Sequence, residues 1–145
     1  MQVIGFNFTK IAAEKLPTFK SGKSINNNIE FLSLDKEKIE ILKDLEAVRI
    51  SFKYSLTYKD STESKEKDGE VFFEGFIVLS LTKDESKDLL KAWKKKELPA
   101  GIRIPLFNLL IRKCAARALS LQEELNLPPH LSIPQLTPKS QTQQA

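Results

Sequence analysis

The chain has 145 residues, 41% of them apolar, one cysteine and a formal charge of +4. That is enough for one domain to bury a single core, while a lone Cys114 excludes an internal disulfide and no stretch reaches the roughly 20 consecutive apolar residues of a membrane-spanning helix. The opening MQVIGFNFTK has neither the basic start nor the apolar run of a signal peptide, so a reducing, cytoplasmic setting without membrane insertion is expected.

Ile4, Phe6 and Phe8 alternate with Gly5, Asn7 and Thr9 as in a strand, and the phase changes near Lys10, at a bulge or at the strand's end. KLPTFKSGK, residues 15–23, carries the Pro, Ser and Gly of a connecting loop. Ile25, Ile29 and Phe31 form a second alternating set, interrupted by Asn26, Asn27 and Asn28. Residues 35–46 fit either a helical turn or an irregular strand link. The clearest strand is Ala47 to Tyr58, where Val48, Ile50, Phe52, Tyr54, Leu56 and Tyr58 occupy every second position. A polar stretch ending in Asp68-Gly69 predicts a hairpin connection to a partner strand from Glu70. In that strand Val71, Phe73, Gly75, Ile77, Leu79 and Leu81 mark one face, and Phe72, Phe76 and Val78 make the other apolar as well.

Thr82 and Glu85 form a capping box that opens a helix over 83–97 with Leu89, Leu90 and Trp93 on one face. A Pro-Ala-Gly break at 99–101 ends it, and Pro105 suits the first turn of a longer helix. Phe107, Leu110, Ile111, Cys114, Ala118, Leu121 and Leu125 then follow helical spacing until Pro128-Pro129. The order predicts an α+β domain over 1–136, an antiparallel four-stranded β-sheet followed by two helices packed on one face, with a disordered tail at 137–145.

Few residues suggest catalysis, and no cofactor or metal is expected. His130 stands beside two prolines without Cys, Asp or Glu at ligand spacing. Cys114 lies on an apolar stripe, as a small buried hydrophobe does. Phosphate loops, dinucleotide fingerprints, HExxH and nucleophile elbows are missing from the sequence, and Glu74, among three phenylalanines, reads as an edge-facing carboxylate. A binding protein, not an enzyme, is the expectation.

Two features invite a partner. Phe72, Phe76 and Val78 need a cover. Either the helices lie over them and leave the Val48–Tyr58 face to a second protomer or to the rest of the chain, or they form an apolar patch for a ligand or an unfolded segment. Residues 83–117 carry ten Lys/Arg against four Asp/Glu. Lys94, Lys95, Lys96, Arg103, Arg112, Lys113 and Arg117 form either an ordinary solvated face or an electrostatic footprint for RNA phosphates or acidic protein.

Arg112-Lys113-Cys114 on a helix, followed by Leu125-Asn126-Leu127-Pro128-Pro129, resembles the Arg-x-Cys helix and later Leu-Asn-Leu-x-Pro of the SecB export chaperones. The order of elements resembles that family too, and Phe6 to Ile11 is similar to the opening of small uncharacterised archaeal proteins. The resemblance implies an ATP-independent holdase, tetrameric in the bacterial family, that binds unfolded polypeptide along apolar grooves. The family's acidic character, linked to docking on the export motor, has no counterpart in this basic chain, and the segment after Pro129 is too rich in proline for the family's final helix. The leading expectation is a SecB-like homo-oligomer binding unfolded polypeptide clients around Phe72, Phe76, Val78 and Trp93, with the basic helices steering it towards acidic clients or anionic partners. An RNA- or ribosome-associated module using Lys94 to Lys96, Arg112, Lys113 and Arg117 is the alternative. A structural subunit of a larger complex is the third.

Overall fold

Alternation of apolar residues along 48–58 puts six large side chains on one face of a strand. In the computed structural model, which describes residues 1–20, 22–37, 44–60, 66–134, 136 and 138, all six are buried. They belong to β3 (Leu45–Lys59), which pairs with β4 (Gly69–Thr82) from Leu45 opposite Thr82 to Tyr58 opposite Gly69. This register sets Ile50 against Ile77, Tyr54 against Phe73 and Leu56 against Val71, so the apolar rows of both strands share one face.

The flanking strands are β1 (Gln2–Lys15), beside β4, and β2 (Ser24–Glu37), beside β3; every pairing is antiparallel and the order is β1-β4-β3-β2. The phase change near Lys10 is a bulge: the register slips between Phe8 and Lys10, as it also does between Val3 and Gly5, and the strand runs on to Lys15. Residues 35–37 continue β2 and residues 45–46 begin β3, whereas 38–43 lie outside the described residues, as do the proposed tail beyond Pro138 and residues 61–65 of the polar connection. The chain between β1 and β2 passes the far end of the β3–β4 pair, where Leu16 N–H donates to the Asp68 carbonyl at 2.8 Å and Phe19 meets the Tyr58 ring edge-on. Lys23 bridges Asp60 and Asp68 there, which holds its ammonium above the usual lysine range.

Gly75 has a steric purpose. A side-chain carbon at this position would stand 2.1 Å from the Asn7 carbonyl oxygen and 3.0 Å from the Phe52 ring. Only glycine lets β1 pass this close while Phe52 covers the gap.

Thr82 caps α1 (Lys83–Trp93) by accepting from Glu85 N–H at 3.2 Å, and the Glu85 carboxylate accepts from Thr82 N–H at 3.0 Å, the capping box expected from the sequence. The helix ends at Trp93, before 97. Lys96, at φ 56°, turns the chain through the left-handed region and sends Leu98 into the core. The second helix, α2 (Ala100–Glu124), starts five residues before Pro105, with Pro99 at its N-cap. Gly101 is exposed there, and the burial of Ile102 extends the helix past both expected breakers.

Ile102, Leu106, Leu110, Cys114, Ala118 and Gln122 form a buried row, four residues apart, along α2. Its first half packs with Val48, Ile50, Phe52, Ile77 and Leu79, its second with Tyr54, Leu56, Tyr58, Val71 and Phe73. The helix therefore lies lengthwise along the sheet, in the direction of β3. Both helices cover the Val48–Tyr58 face, and among the described residues the face bearing Phe72 and Phe76 carries no helix. The sequence had left open the reverse arrangement; the fully apolar rows of β3 and β4 decide it, because they remove more apolar surface from water.

Candidate functional site

On the helix-free face, the rows of β4 and β3 alternate in charge and polarity. Lys10, Glu74, Lys53 and Glu30 stand in register across all four strands. Lys10 and Lys53 hold their ammonium groups 5.1 Å and 5.0 Å from the Phe72 ring centre, and the Arg49 guanidinium lies 3.9 Å from that of Phe76. Arg49 is in turn paired with Glu37. Phe72 and Phe76 are thus half-buried beneath cations, and Val78 is 7% exposed. The three residues share a face, but they do not form a bare apolar patch.

Trp93 is not with them. It ends α1 on the opposite side of the sheet, packed against the core that includes Leu98 and Ile102. The parity of β4 separates the two sets: Phe72 and Phe76 point away from Ile77 and Leu79, and the helices sit over the latter.

Beside Trp93 an open groove runs between α2 and β2. Its floor is Ile29, Phe31 and Phe107, with the Phe31 and Phe107 rings stacked at 5.5 Å between centres. One end is flanked by Trp93, Leu98, Lys96, Glu97 and Arg103, the last three exposed; the other opens past Asn27 and Ile111, which is 45% exposed. Four residues of β2, at about 3.3 Å each, and eight residues of α2, at about 1.5 Å each, both give a length of about 12–13 Å. That length matches about four residues of extended chain. Because β2 is last in the strand order, its outer edge is unpaired within the described sheet.

The other flank of α2 is closed. Lys113 sits 5.7 Å from the Phe6 ring and Arg117 5.1 Å from the Phe8 ring, while Arg117 also donates to the Lys113 carbonyl at 2.6 Å. The cationic residues therefore form no single patch. Lys94, Lys95 and Lys96 stand at the end of α1, Lys113 and Arg117 cover β1 aromatics, and Arg112 is exposed between them. From Arg103 to Arg117 the helix rises about 21 Å.

No family model matches the chain, and no curated protein matches it. Among solved structures, the chain is similar to the SecB-like chaperone of Mycobacterium tuberculosis, determined with an antitoxin-derived ChAD peptide. The identity is 18%, the TM-score 0.48, and the match covers 94% of this chain and 90% of that one.

Other titratable groups have structural surroundings. Burial pushes the Cys114 thiol up to about 12, against a weaker opposing effect of Arg117, which makes it unreactive at neutral pH. Among the described residues no three His, Cys, Asp or Glu side chains gather as a metal site. Among the described residues no helix is long and apolar enough to cross a membrane.

Residue order alone does not disclose the groove. Phe107 and Ile111 share one apolar stripe with Leu110 and Cys114, and that stripe is wider than one buried row. The surplus at 107 and 111 is the sign in the sequence of a second contact surface.

Proposed function

We propose that the protein is a non-catalytic, ATP-independent, chaperone-like binder of unfolded or extended polypeptide, and that the α2–β2 groove holds the client. The observation that carries this reading is an aromatic and aliphatic floor, open to solvent, beside an unpaired strand edge. Such a trough takes alternate side chains of an extended segment, and the strand edge has backbone groups to satisfy those of the client. Each apolar side chain buried contributes about 1.5–3 kcal/mol before the cost of ordering, so binding is weak per site and tolerant of sequence. The helix-free face, whose rings are roofed by Arg49, Lys10 and Lys53, takes a secondary part.

The test is suppression of aggregation of a chemically unfolded substrate. Ile111→Asp combined with Phe107→Ser should abolish most of the protection while circular dichroism stays native, and Phe72→Ser combined with Phe76→Ser should leave more of it. Trp93 is the chain's one tryptophan, so a tryptophan-free client should also shift its emission. Equal protection by wild type and the groove variant would sink the reading.

A further inference from the structure

Charge is distributed unevenly along the groove. At the Asn27 and Ile111 end the lining carries no ionisable side chain. At the Trp93 end it carries Lys96 and Arg103 with a single opposing carboxylate, Glu97, and Lys94 and Lys95 stand exposed alongside. Neither Lys96 nor Arg103 has an ion-pair partner among the described residues, and the first turn of α2 holds no acidic residue to offset them. The backbone maintains this arrangement. Lys96 N–H donates to the Trp93 carbonyl at 2.7 Å and Glu97 N–H to that of Ala92 at 3.2 Å, so the reversal after α1 sets Lys96 at the groove's mouth.

We propose that this polarity selects and orients the client: the groove takes an apolar segment whose flank on the Trp93 side carries Asp or Glu. The inference rests on the polypeptide-binding reading and adds its substrate class. Apolar side chains would lie on Phe31 and Phe107, and a carboxylate leaving the groove would meet the Arg103 guanidinium, whose planar fork suits it, and the Lys96 ammonium. A basic flank would place like charges together. Both cations are exposed, so the effect is modest and salt-sensitive.

Three tryptophan-free peptides with one apolar core and acidic, basic or Ser/Gly flanks, titrated against Trp93 emission, test it. Wild type should bind the acidic-flanked peptide about tenfold more tightly than the basic-flanked one at low salt, two exposed pairs corresponding to roughly this ratio, and the gap should narrow in 0.5 M salt, on the order of a 4–5 Å screening length. Lys96→Glu with Arg103→Glu, both surface changes, should invert the preference between the acidic-flanked and the basic-flanked peptide. Equal affinity for acidic and basic flanks, with the neutral peptide still bound, overturns the proposal alone. Failure of all three peptides to bind removes the underlying groove reading as well. Tighter binding of a single-stranded oligouridylate than of the acidic peptide, lost on the same charge reversal, would make the corner a phosphate site and also overturn it.

Discussion

The side-chain amide of Gln122 donates to the phenol oxygen of Tyr58 at 2.7 Å, tying the last turn of α2 to the far end of β3. The Tyr58 hydroxyl donates to the Pro128 carbonyl, and the Gln122 oxygen accepts from the His130 ring nitrogen Nδ1 at 3.0 Å and from His130 N–H at 3.4 Å. The bonds run in one direction, so each assignment fixes the next: Gln122 must present its oxygen to His130, and His130 must carry its proton on Nδ1. Leu127, packed against Gly69, closes the apolar side of this clasp.

Gln122 is buried, and removing its amide strands the partner groups in a dry site. Gln122→Ala should lower unfolding stability by about 1–3 kcal/mol, measured by urea denaturation. A double-mutant cycle with Tyr58→Phe should show coupling between the two. Additive losses would mean that the bond contributes little.

Desolvation holds the His130 imidazole below the ordinary histidine range, and its Nε2 is buried without a partner among the described residues. The side chain that its ring meets, Gln122, is neutral, and desolvation alone accounts for the shift. A depressed folded value means that the native state binds fewer protons than the unfolded one, so stability is full above the ordinary histidine range and declines as pH falls through the window down to the folded value. His130→Gln should flatten that part of a stability-against-pH curve, and an unchanged curve would remove His130 from the clasp.

Much of the fold is legible in residue order, and the exceptions have physical causes. Period two along 48–58 was enough to orient β3, because every buried position is apolar. β1 looked short because a bulge after Phe8 breaks the alternation that marks a strand. Three asparagines weaken β2 locally, yet Asn27 sits opposite Leu56 and pairing with β3 overrides the poor propensity. Pro105 and Gly101 disguised the start of α2, since burial of Ile102 outweighs both. The groove was hidden for another reason: Phe31 and Phe107 are far apart in sequence and meet only after the sheet has chosen its covered face.

Cys114 gives a probe of that covered face. Its burial and raised thiol pKa predict that a disulfide reagent at pH 7.5 labels it slowly in the native protein and rapidly in denaturant. Rapid native labelling would show that α2 lifts from the sheet.

Gly75→Ala should be strongly destabilising, because the new methyl group would collide with backbone and not with a flexible side chain. Overpacking of this kind costs about 1–3 kcal/mol or more, and thermal unfolding should show it. A Gly5→Ala control, where the nearest atoms are those of Val78 at 3.4 and 3.5 Å, should cost less.

β1 exposes Val3 (38%), Ile4 (43%) and Ile11 (50%) on a strand whose outer edge is unpaired within the described sheet. We propose that this edge joins two copies of the chain. Sedimentation should then show a dimer or larger species that Val3→Lys with Ile11→Lys shifts towards monomer. A monomeric wild type at high micromolar concentration would defeat this.

The sheet order has a consequence for biosynthesis. Gln2 is matched with Ser80 and Lys15 with Gly69, so the first strand to leave the ribosome has to wait for the last. At translation speeds of about 5–20 residues per second, Phe6 and Phe8 spend roughly four to fifteen seconds in a nascent chain with no neighbour to receive them. β2 and β3 can meanwhile zip together as a hairpin. During its own synthesis, a protein with this topology is for some seconds the kind of client it is proposed to hold.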